Sequence, residues 1–252
     1  MISKSLIEEL THKYQTTQVN VAREYCQHLF LSYFYQKKKS DRLLFKGGTA
    51  LRFIYNSPRF SEDLDFTTYN MAMRQIETIF IDSINDIAQT GIGVELEEAK
   101  IASGGYLAIA RFTFLDFKQT IQIEASMRSK KLKIASEVNL VNSDYIPSYN
   151  IVSLAEKDLI EEKIRALLDR AKPRDFFDIY FLLRANLSTP KNSLSLNKVL
   201  KKLEKTKIDF KRELRIFLPK SHHNILKDFK NILKRELNKY GKRNLRYKTE
   251  DR

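Results

Sequence analysis

A chain of 252 residues, of which 42% are hydrophobic, is long enough to bury its own core as one large or two small domains. It contains no apolar run near the length of a membrane span and starts without the apolar segment of a signal peptide. We therefore expect a cytoplasmic protein that does not enter membranes. A single cysteine excludes an internal disulfide, and with only four histidines present there is little support for a zinc site or a Cys/His hydrolase.

The first forty residues predict amphipathic helices, and a glycine turn follows them. Between residues 3 and 39 the apolar residues recur at helical spacing. A short apolar run at residues 43–45 predicts a strand, which a glycine pair joins to another helix. Glycines let a ligand approach the backbone closely, and a helix N-terminus favours anionic oxygens. The turn Lys46-Gly47-Gly48-Thr49 therefore suits a phosphate group.

Two aspartates follow the predicted helix. Asp63 and Asp65 alternate with Leu64 and Phe66, so on a strand both carboxylates face one side, with Cα atoms roughly 7 Å apart. Side chains at that spacing can converge on divalent ions, and Mg²⁺ prefers carboxylate oxygens together with substrate phosphates. A lone glycine pair is most often just a turn, and a lone D-x-D is common on solvated strands. Together they predict a site for a nucleoside triphosphate (NTP) with Mg²⁺, or alternatively Mn²⁺.

The rest of the first half predicts a sheet that a helix covers on one face. Alternation in the last predicted strand places Gln122 and Glu124 on one face, and an exposed glutamate would give the same pattern. The helix is predicted at residues 72–88, the strands at 94–99, 106–115 and 120–126, and a hairpin turn at 103–105.

The second half is predicted to be helical. A helix at residues 154–169 contains Lys163, which by its pattern alone is an ordinary solvated lysine. Pro173 suits the first position of the next helix, with Asp175 and Asp178 in its first two turns, where the helix dipole favours acids whatever the function. We place the interdomain connection at residues 142–149, which contain Pro147. The predicted fold is α+β, with a mixed sheet and helices in residues 1–145 and a basic helical domain in residues 146–252.

Positive charge is concentrated at the C-terminal end. Residues 191–252 hold twenty Lys/Arg against seven Asp/Glu, so this segment carries +13 of the net charge of +14. Its apolar residues recur at helical spacing, which predicts two or three amphipathic helices. Such a basic face fits RNA or DNA phosphates, and the alternatives are a solubilising surface or a docking face for an acidic protein.

Two ordered blocks of this sequence resemble a known family. Residues 45–52 and 59–66, with a second block in residues 162–180, are similar to the AbiEii/AbiGii-type nucleotidyltransferase toxins of the DNA polymerase β-like superfamily. The resemblance spans roughly residues 40–183 and implies a polymerase β-like core. In the superfamily a serine often follows the glycine, whereas Thr49 follows Gly48 here, so a serine contact to phosphate is not assumed.

The resemblance implies a role for individual residues. Lys163 would contact the triphosphate, and Glu124 would supply a third carboxylate to the metal beside Asp63 and Asp65. One of two aspartates, Asp175 or Asp178, would act as general base toward the acceptor hydroxyl while the other holds Lys163 or an arginine. Two arginines would pair with these acids or contact nucleotide. The implied nucleotide-binding residues are Lys46, Gly47, Gly48, Thr49, Arg170 and Arg174.

The expected function is transfer of a nucleoside monophosphate (NMP) from an NTP to a hydroxyl acceptor, with release of pyrophosphate. By the resemblance the protein is a toxin of a toxin–antitoxin or phage-defence (abortive infection) system, held in check by an antitoxin, with the tRNA 3′ end as the leading acceptor. The alternatives are NTP-dependent modification of a protein hydroxyl and a non-catalytic nucleic-acid-binding module of the same fold. A metal-dependent nuclease has less support, since the strand of Glu124 lacks the lysine that would normally follow its acid.

Overall fold

The computed structural model describes residues 1–68, 71–102, 104–128, 134–189, 191 and 195–241. Packing divides the chain into two compact units, Met1–Ala155 and Glu156–Arg252. In the described part of the first unit, helices α1 to α4 lie at Lys4–Lys13, Gln18–Phe34, Gly47–Tyr55 and Met73–Ala88. Strands β1 to β7 lie at Leu43–Lys46, Leu64–Thr68, Gly93–Ala102, Gly105–Phe114, Phe117–Met127, Ser136–Val141 and Tyr149–Leu154.

Hydroxyl side chains set where the first two helices begin. The Ser3 side chain accepts a hydrogen bond from the Leu6 N–H, and the Thr17 side chain accepts one from the Asn20 N–H. Each hydroxyl satisfies a backbone donor that has no partner within its helix. The predicted N-terminal helices are confirmed, and these caps fix their first residues.

The seven strands form one mixed sheet in the order β3-β4-β5-β2-β1-β7-β6. β1 runs antiparallel to β2, with Leu43 opposite Thr68 and Lys46 opposite Asp65. β2 runs parallel to β5, and this register sets Asp65 beside Glu124. The three central strands therefore carry the glycine turn, the D-x-D segment and Glu124.

An aromatic cluster covers one face of the central strands. The Phe66 ring lies 4.9 Å from the Phe34 ring of α2 and 6.0 Å from the Phe80 ring of α4, measured between centroids. Side chains alternate between the faces of a strand, so Asp65 points to the opposite face. Packing of α2 and α4 thus decides which face carries the carboxylates.

The predicted fold class is confirmed, and one part of the predicted organisation is wrong. The helix predicted at residues 72–88 is α4, and the three strands predicted after it are β3, β4 and β5. The segment expected to join two domains instead connects β6 to β7 within the sheet, so the first unit continues to Ala155. β7 lies in the stretch predicted to belong to the helical domain, so that part of the prediction is wrong. β6 escapes prediction because it is an exposed strand at the end of the sheet, with Val138 73% exposed. Residue 103 of the predicted hairpin turn lies outside the described residues.

The described part of the second unit is helical. An aromatic cluster of Phe177, Phe210 and Phe229 occupies its interior, with the last two rings 5.1 Å apart. No helix in the described ranges is both long and apolar enough to cross a membrane. Helices α5 to α9 lie at Glu156–Arg170, Pro173–Arg184, Leu196–Lys205, Phe210–Leu214 and Phe229–Gly241, and a 3₁₀ helix at Lys220–Asp228 precedes α9.

We predict that His28 makes the first unit less stable in acid. The ring is 3% exposed, stacks on Phe53, and has Nδ1 2.8 Å from the Tyr149 hydroxyl; burial lowers its pKa from 6.5 to about 3. Between these values the unfolded chain binds one more proton, so this stability is complete above pH 6.5 and is lost as the pH falls toward 3. Urea unfolding should lose about 1.4 kcal/mol per pH unit from this group.

A His28→Gln variant provides the control for that experiment. Glutamine does not titrate, so between pH 4 and 6 its unfolding free energy should change less steeply with pH than that of the wild type. Equal slopes for the two proteins would show that His28 is not the group responsible.

Candidate functional site

The glycine turn brings a carboxylate against the start of a helix. Lys46 ends β1 in an extended conformation, Gly47 adopts φ +84°, and α3 begins there. A Cβ atom at Gly47 would overlap Oδ2 of Asp65 and lie 2.9 Å from the Asp65 Cβ. Only glycine therefore permits the observed approach between the helix start and the D-x-D segment.

Beside the glycine turn, a row of charged side chains crosses the face of the sheet opposite α2 and α4. The registers place Lys46, Asp65 and Glu124 beside one another on β1, β2 and β5. Neighbouring strands lie about 4.8 Å apart, so the two carboxylates are adjacent. Gln122 donates a 2.7 Å hydrogen bond to Glu124, which is exposed. The predicted placement of Gln122 and Glu124 on one face is confirmed.

Buried polar contacts hold the D-x-D segment in place. The Thr49 hydroxyl donates to the Asp63 carbonyl at 2.6 Å. From α2, the Gln27 amide donates to the carbonyls of Ser61 and Glu62 at 3.1 and 3.0 Å. The Thr49 hydroxyl is thus used in a hydrogen bond within the protein. Its predicted contact with nucleotide stays a prediction.

Arg52 fixes the loop between α3 and β2. Its guanidinium makes a two-pronged ion pair with Glu24, donates to the carbonyls of Ser57 and Pro58, and lies 3.6 Å from the centre of the Phe60 ring. Paired and hydrogen-bonded in this way, the Arg52 guanidinium holds the loop in one conformation.

Arg59 lies directly behind the glycine turn. It is 3% exposed, its Nη1 donates to the Phe60 carbonyl at 3.0 Å, and a Cβ at Gly48 would overlap its Nη2. A positive charge at the start of α3 adds to the helix dipole in favouring an anion there.

The residues present fit a divalent cation that shares its ligands with phosphate. Mg²⁺ is commonly bound through one or two carboxylates plus substrate oxygens, and Asp65 and Glu124 are adjacent by register. Asp63 lies just before β2 begins, and within the described residues no group of three or more His, Cys, Asp or Glu side chains is placed to hold a metal. The expected trio is therefore not assembled here as a complete cluster.

In the second unit, the residues of the downstream block form two ion pairs between α5 and α6. Lys163 is 8% exposed and its Nζ lies 2.7 Å from Oδ2 of Asp178. Arg170 makes a two-pronged contact with Asp175, which also accepts a hydrogen bond from the Lys172 N–H at the start of α6.

These pairs answer one question that the sequence left open. Asp178 holds Lys163, and Asp175 holds an arginine, so both aspartates serve the partner role that was expected of only one. Each is 1% exposed, and the geometry gives no support to a general-base role for either. Lys163 is a buried ion-pair lysine, not the solvated one that its pattern alone predicts. Arg174 lies 3.8 Å from Glu213, and its predicted nucleotide contact stays a prediction.

Comparison with known proteins identifies the family. The sequence model of the nucleotidyl transferase AbiEii toxin, type IV toxin–antitoxin system, matches residues 29–250. The chain belongs to this family. As an AbiEii member it is a nucleotidyltransferase toxin, which implies an NTP substrate and an antitoxin partner. No curated protein matches the chain at a significant level.

Two crystal structures share the AbiEii chain's fold. JHP933 from Helicobacter pylori has 19% sequence identity and a TM-score of 0.59, over 93% of this chain and 97% of its own. A candidate nucleotidyltransferase from H. pylori has 20% identity and a TM-score of 0.51, over 88% of this chain and 98% of its own. At these identities the likeness establishes the fold alone.

The supporting residues Gln27, Arg52 and Arg59 were missed as functional candidates. The two arginines lie within or beside the AbiEii motif, so the motif itself was the available signal for them. Gln27 lies 34 residues before Ser61, the nearer of its two partners, and no local pattern marks such a contact.

We predict that Gly47→Ala lowers kcat/KM for NMP transfer by roughly 100-fold, because the methyl group displaces the Asp65 carboxylate from the helix start. Steady-state kinetics would measure this. Gly104→Ala is the matched control, since a Cβ at Gly104 meets nothing within 4 Å. Wild-type kinetics for Gly47→Ala would show that the close approach has no part in catalysis.

We also predict that Asp178→Ala lowers the free energy of unfolding by about 3–5 kcal/mol, because it leaves the Lys163 charge buried without its partner. The double variant Lys163→Met/Asp178→Leu should recover most of this loss, as urea denaturation would show. Activity of the recovered double variant then separates the two roles of Lys163. Full activity would exclude a contact with the triphosphate, and loss of activity in a stable protein would support it.

Proposed function

We propose that this AbiEii-family enzyme transfers NMP from an NTP to a hydroxyl of RNA, with the tRNA 3′ end as the leading acceptor and Mg²⁺ as the metal. The observation that carries the proposal is the convergence of the α3 N-terminus, Asp65 and Glu124 on one face of the sheet. A helix N-terminus suits phosphate oxygens, and the adjacent carboxylates suit the cation that accompanies them.

Each group would contribute mainly by positioning and charge. Backbone N–H groups at Gly47 and Gly48 would orient the phosphates, and Arg59 would add positive charge behind them. Asp65 and Glu124, with Asp63 from the preceding residues, would hold Mg²⁺. When bound, the cation neutralises charge on the phosphates and leaving pyrophosphate. Lys163, Arg170 and Arg174 keep their proposed nucleotide roles, and the general base is not assigned.

RNA is favoured as the acceptor because of charge. The segment of residues 191–252 carries nearly all of the net positive charge, and phosphates are its natural counterpart. The described helices α7 and α9 expose several lysines and arginines. The proposed setting is the cytoplasm, where tRNA and NTP are both abundant, with an antitoxin limiting the activity.

We predict that the purified protein, given Mg²⁺, each α-labelled NTP in turn, total tRNA and cell protein, transfers label to RNA. Asp65→Asn should reduce the transfer at least about 100-fold, because it removes charge from the site without changing side-chain size. Asp116→Asn is the matched control, since Asp116 is 81% exposed and pairs only with Lys4 among the described residues.

The three outcomes of this experiment point to different functions. Label on RNA that is lost in Asp65→Asn but kept in Asp116→Asn supports the proposal and identifies the nucleotide. Label on polypeptide moves the acceptor to a protein hydroxyl. Transfer to neither, by a folded protein, contradicts the proposed acceptor and favours the non-catalytic alternative.

A further inference from the structure

A positively charged cleft of about 380 Å³ lies between the turn after α2 and the outer side of α4. Lys37, Lys38 and Lys39 line one side, and Arg74 from the first turn of α4 lines the other. Asp82 is the single acid among the described residues that line it. No step of the proposed reaction uses this cleft.

The cleft lies at the opposite end of the strands from the candidate site. The lysines precede β1 and Arg74 follows β2, and the register at that end pairs Leu43 with Thr68. The other end of the same two strands pairs Lys46 with Asp65. The two residue pairs are three residues apart along β1, which is about 10 Å at 3.3 Å per residue. A ligand in the cleft would therefore contact the enzyme away from the reacting atoms.

Three of the four cations are available to a ligand. Lys37 is paired with Asp86 of α4, which fixes the lysine turn against the helix. Lys38, Lys39 and Arg74 are exposed, and none of them pairs with a carboxylate among the described residues. Like charges gathered in a cleft repel one another and raise the local positive potential, which an anionic ligand relieves.

Lys39 adopts φ +70°, the left-handed region that favours glycine. Its side chain is one of the three available cations.

The other lining residues indicate what kind of anion fits. Among the described lining residues none is aromatic, so the cleft has no surface on which a base could stack. Ile79, the apolar side chain among these lining residues, is buried, so the cleft offers a protein partner little apolar surface. Lysine is also depleted from the centres of protein–protein interfaces. Phosphate groups are the ligands that such a lysine and arginine cleft suits.

We propose that this cleft binds the phosphate backbone of the acceptor RNA, independently of its sequence, and so adds affinity at a distance from the reacting hydroxyl. The inference rests on RNA being the acceptor in the proposed function. RNA binding measured without NTP tests it separately, because that measurement does not depend on transfer.

The test is fluorescence anisotropy of labelled tRNA with the full chain, without NTP, over a range of KCl concentrations. Lys38→Ala/Lys39→Ala/Arg74→Ala should weaken binding at least about 10-fold at low salt. The slope of log K against log[KCl] should also become less negative by about 2–3. This is roughly one for each phosphate that the variant no longer neutralises. A duplex RNA of unrelated sequence should bind the variant more weakly to the same extent.

The control removes the same charge elsewhere. Lys118, Lys157 and Arg165 are exposed cations outside the cleft, and their triple alanine variant should keep binding within about 2-fold of the wild type. Equal weakening by both triple variants, or wild-type binding by the cleft variant, would overturn the proposal. A cleft variant that keeps RNA binding but fails to bind an acidic protein would overturn it in favour of a protein partner.

The Lys39→Gly variant distinguishes the contribution of the Lys39 side chain to RNA binding from its effect on folding stability. Glycine relieves the left-handed backbone, so the thermal midpoint should rise while tRNA binding weakens. Unchanged tRNA binding by this variant would contradict the part assigned to Lys39. If RNA binds through the cleft in a salt-dependent way but no transfer is detected, the proposed role of the cleft is supported. That result would count against the proposed reaction.

Discussion

The candidate site depends on the register between β1 and β2. Lys46 opposite Asp65 brings the end of one strand, and the glycine turn after it, against the carboxylate of the next. A slip of one residue would move every side chain to the other face of the sheet. Phe66 opposes such a slip, since its ring packs against α2 and α4. The hydrophobic core thus decides where the charged atoms lie.

Polar contacts then refine a position that the core sets only coarsely. Gln27 and Thr49 bind three consecutive carbonyls at residues 61–63, and Arg52 binds two more at residues 57 and 58. Buried hydrogen bonds are costly to break, because a partner left behind has no water to replace the bond. The loop that delivers the aspartates is therefore fixed before any ligand arrives, which favours catalysis by positioning.

Local patterns predicted the central motif, whereas contacts between separate helices were either implied only by the resemblance, without a choice of partner, or missed. Apolar alternation and one glycine pair suffice for β1, α3 and β2, because each signal lies within a few residues. Glu124 was placed on the correct face for the same reason. The resemblance implied that Asp175 or Asp178 pairs with Lys163 or an arginine. Which partner each aspartate takes depends on the angle and rotation of α5 against α6, which no single-helix pattern contains. The contact between Gln27 and residues 61 and 62 likewise depends on how α2 packs.

The two kinds of anion recognition that we propose would make different physical demands. At the glycine turn, a single methyl group added at Gly47 would overlap the Asp65 carboxylate, so a phosphate site there would require accurate placement of its groups. In the lysine cleft, and along the basic helices, charge acts over a Debye length of about 8–10 Å and tolerates side-chain motion. Affinity for a long polyanion can thus accumulate from many imprecise contacts. In the proposed function, selection of the reacting group would rest on the few precise contacts at the glycine turn, where the sheet register allows no freedom.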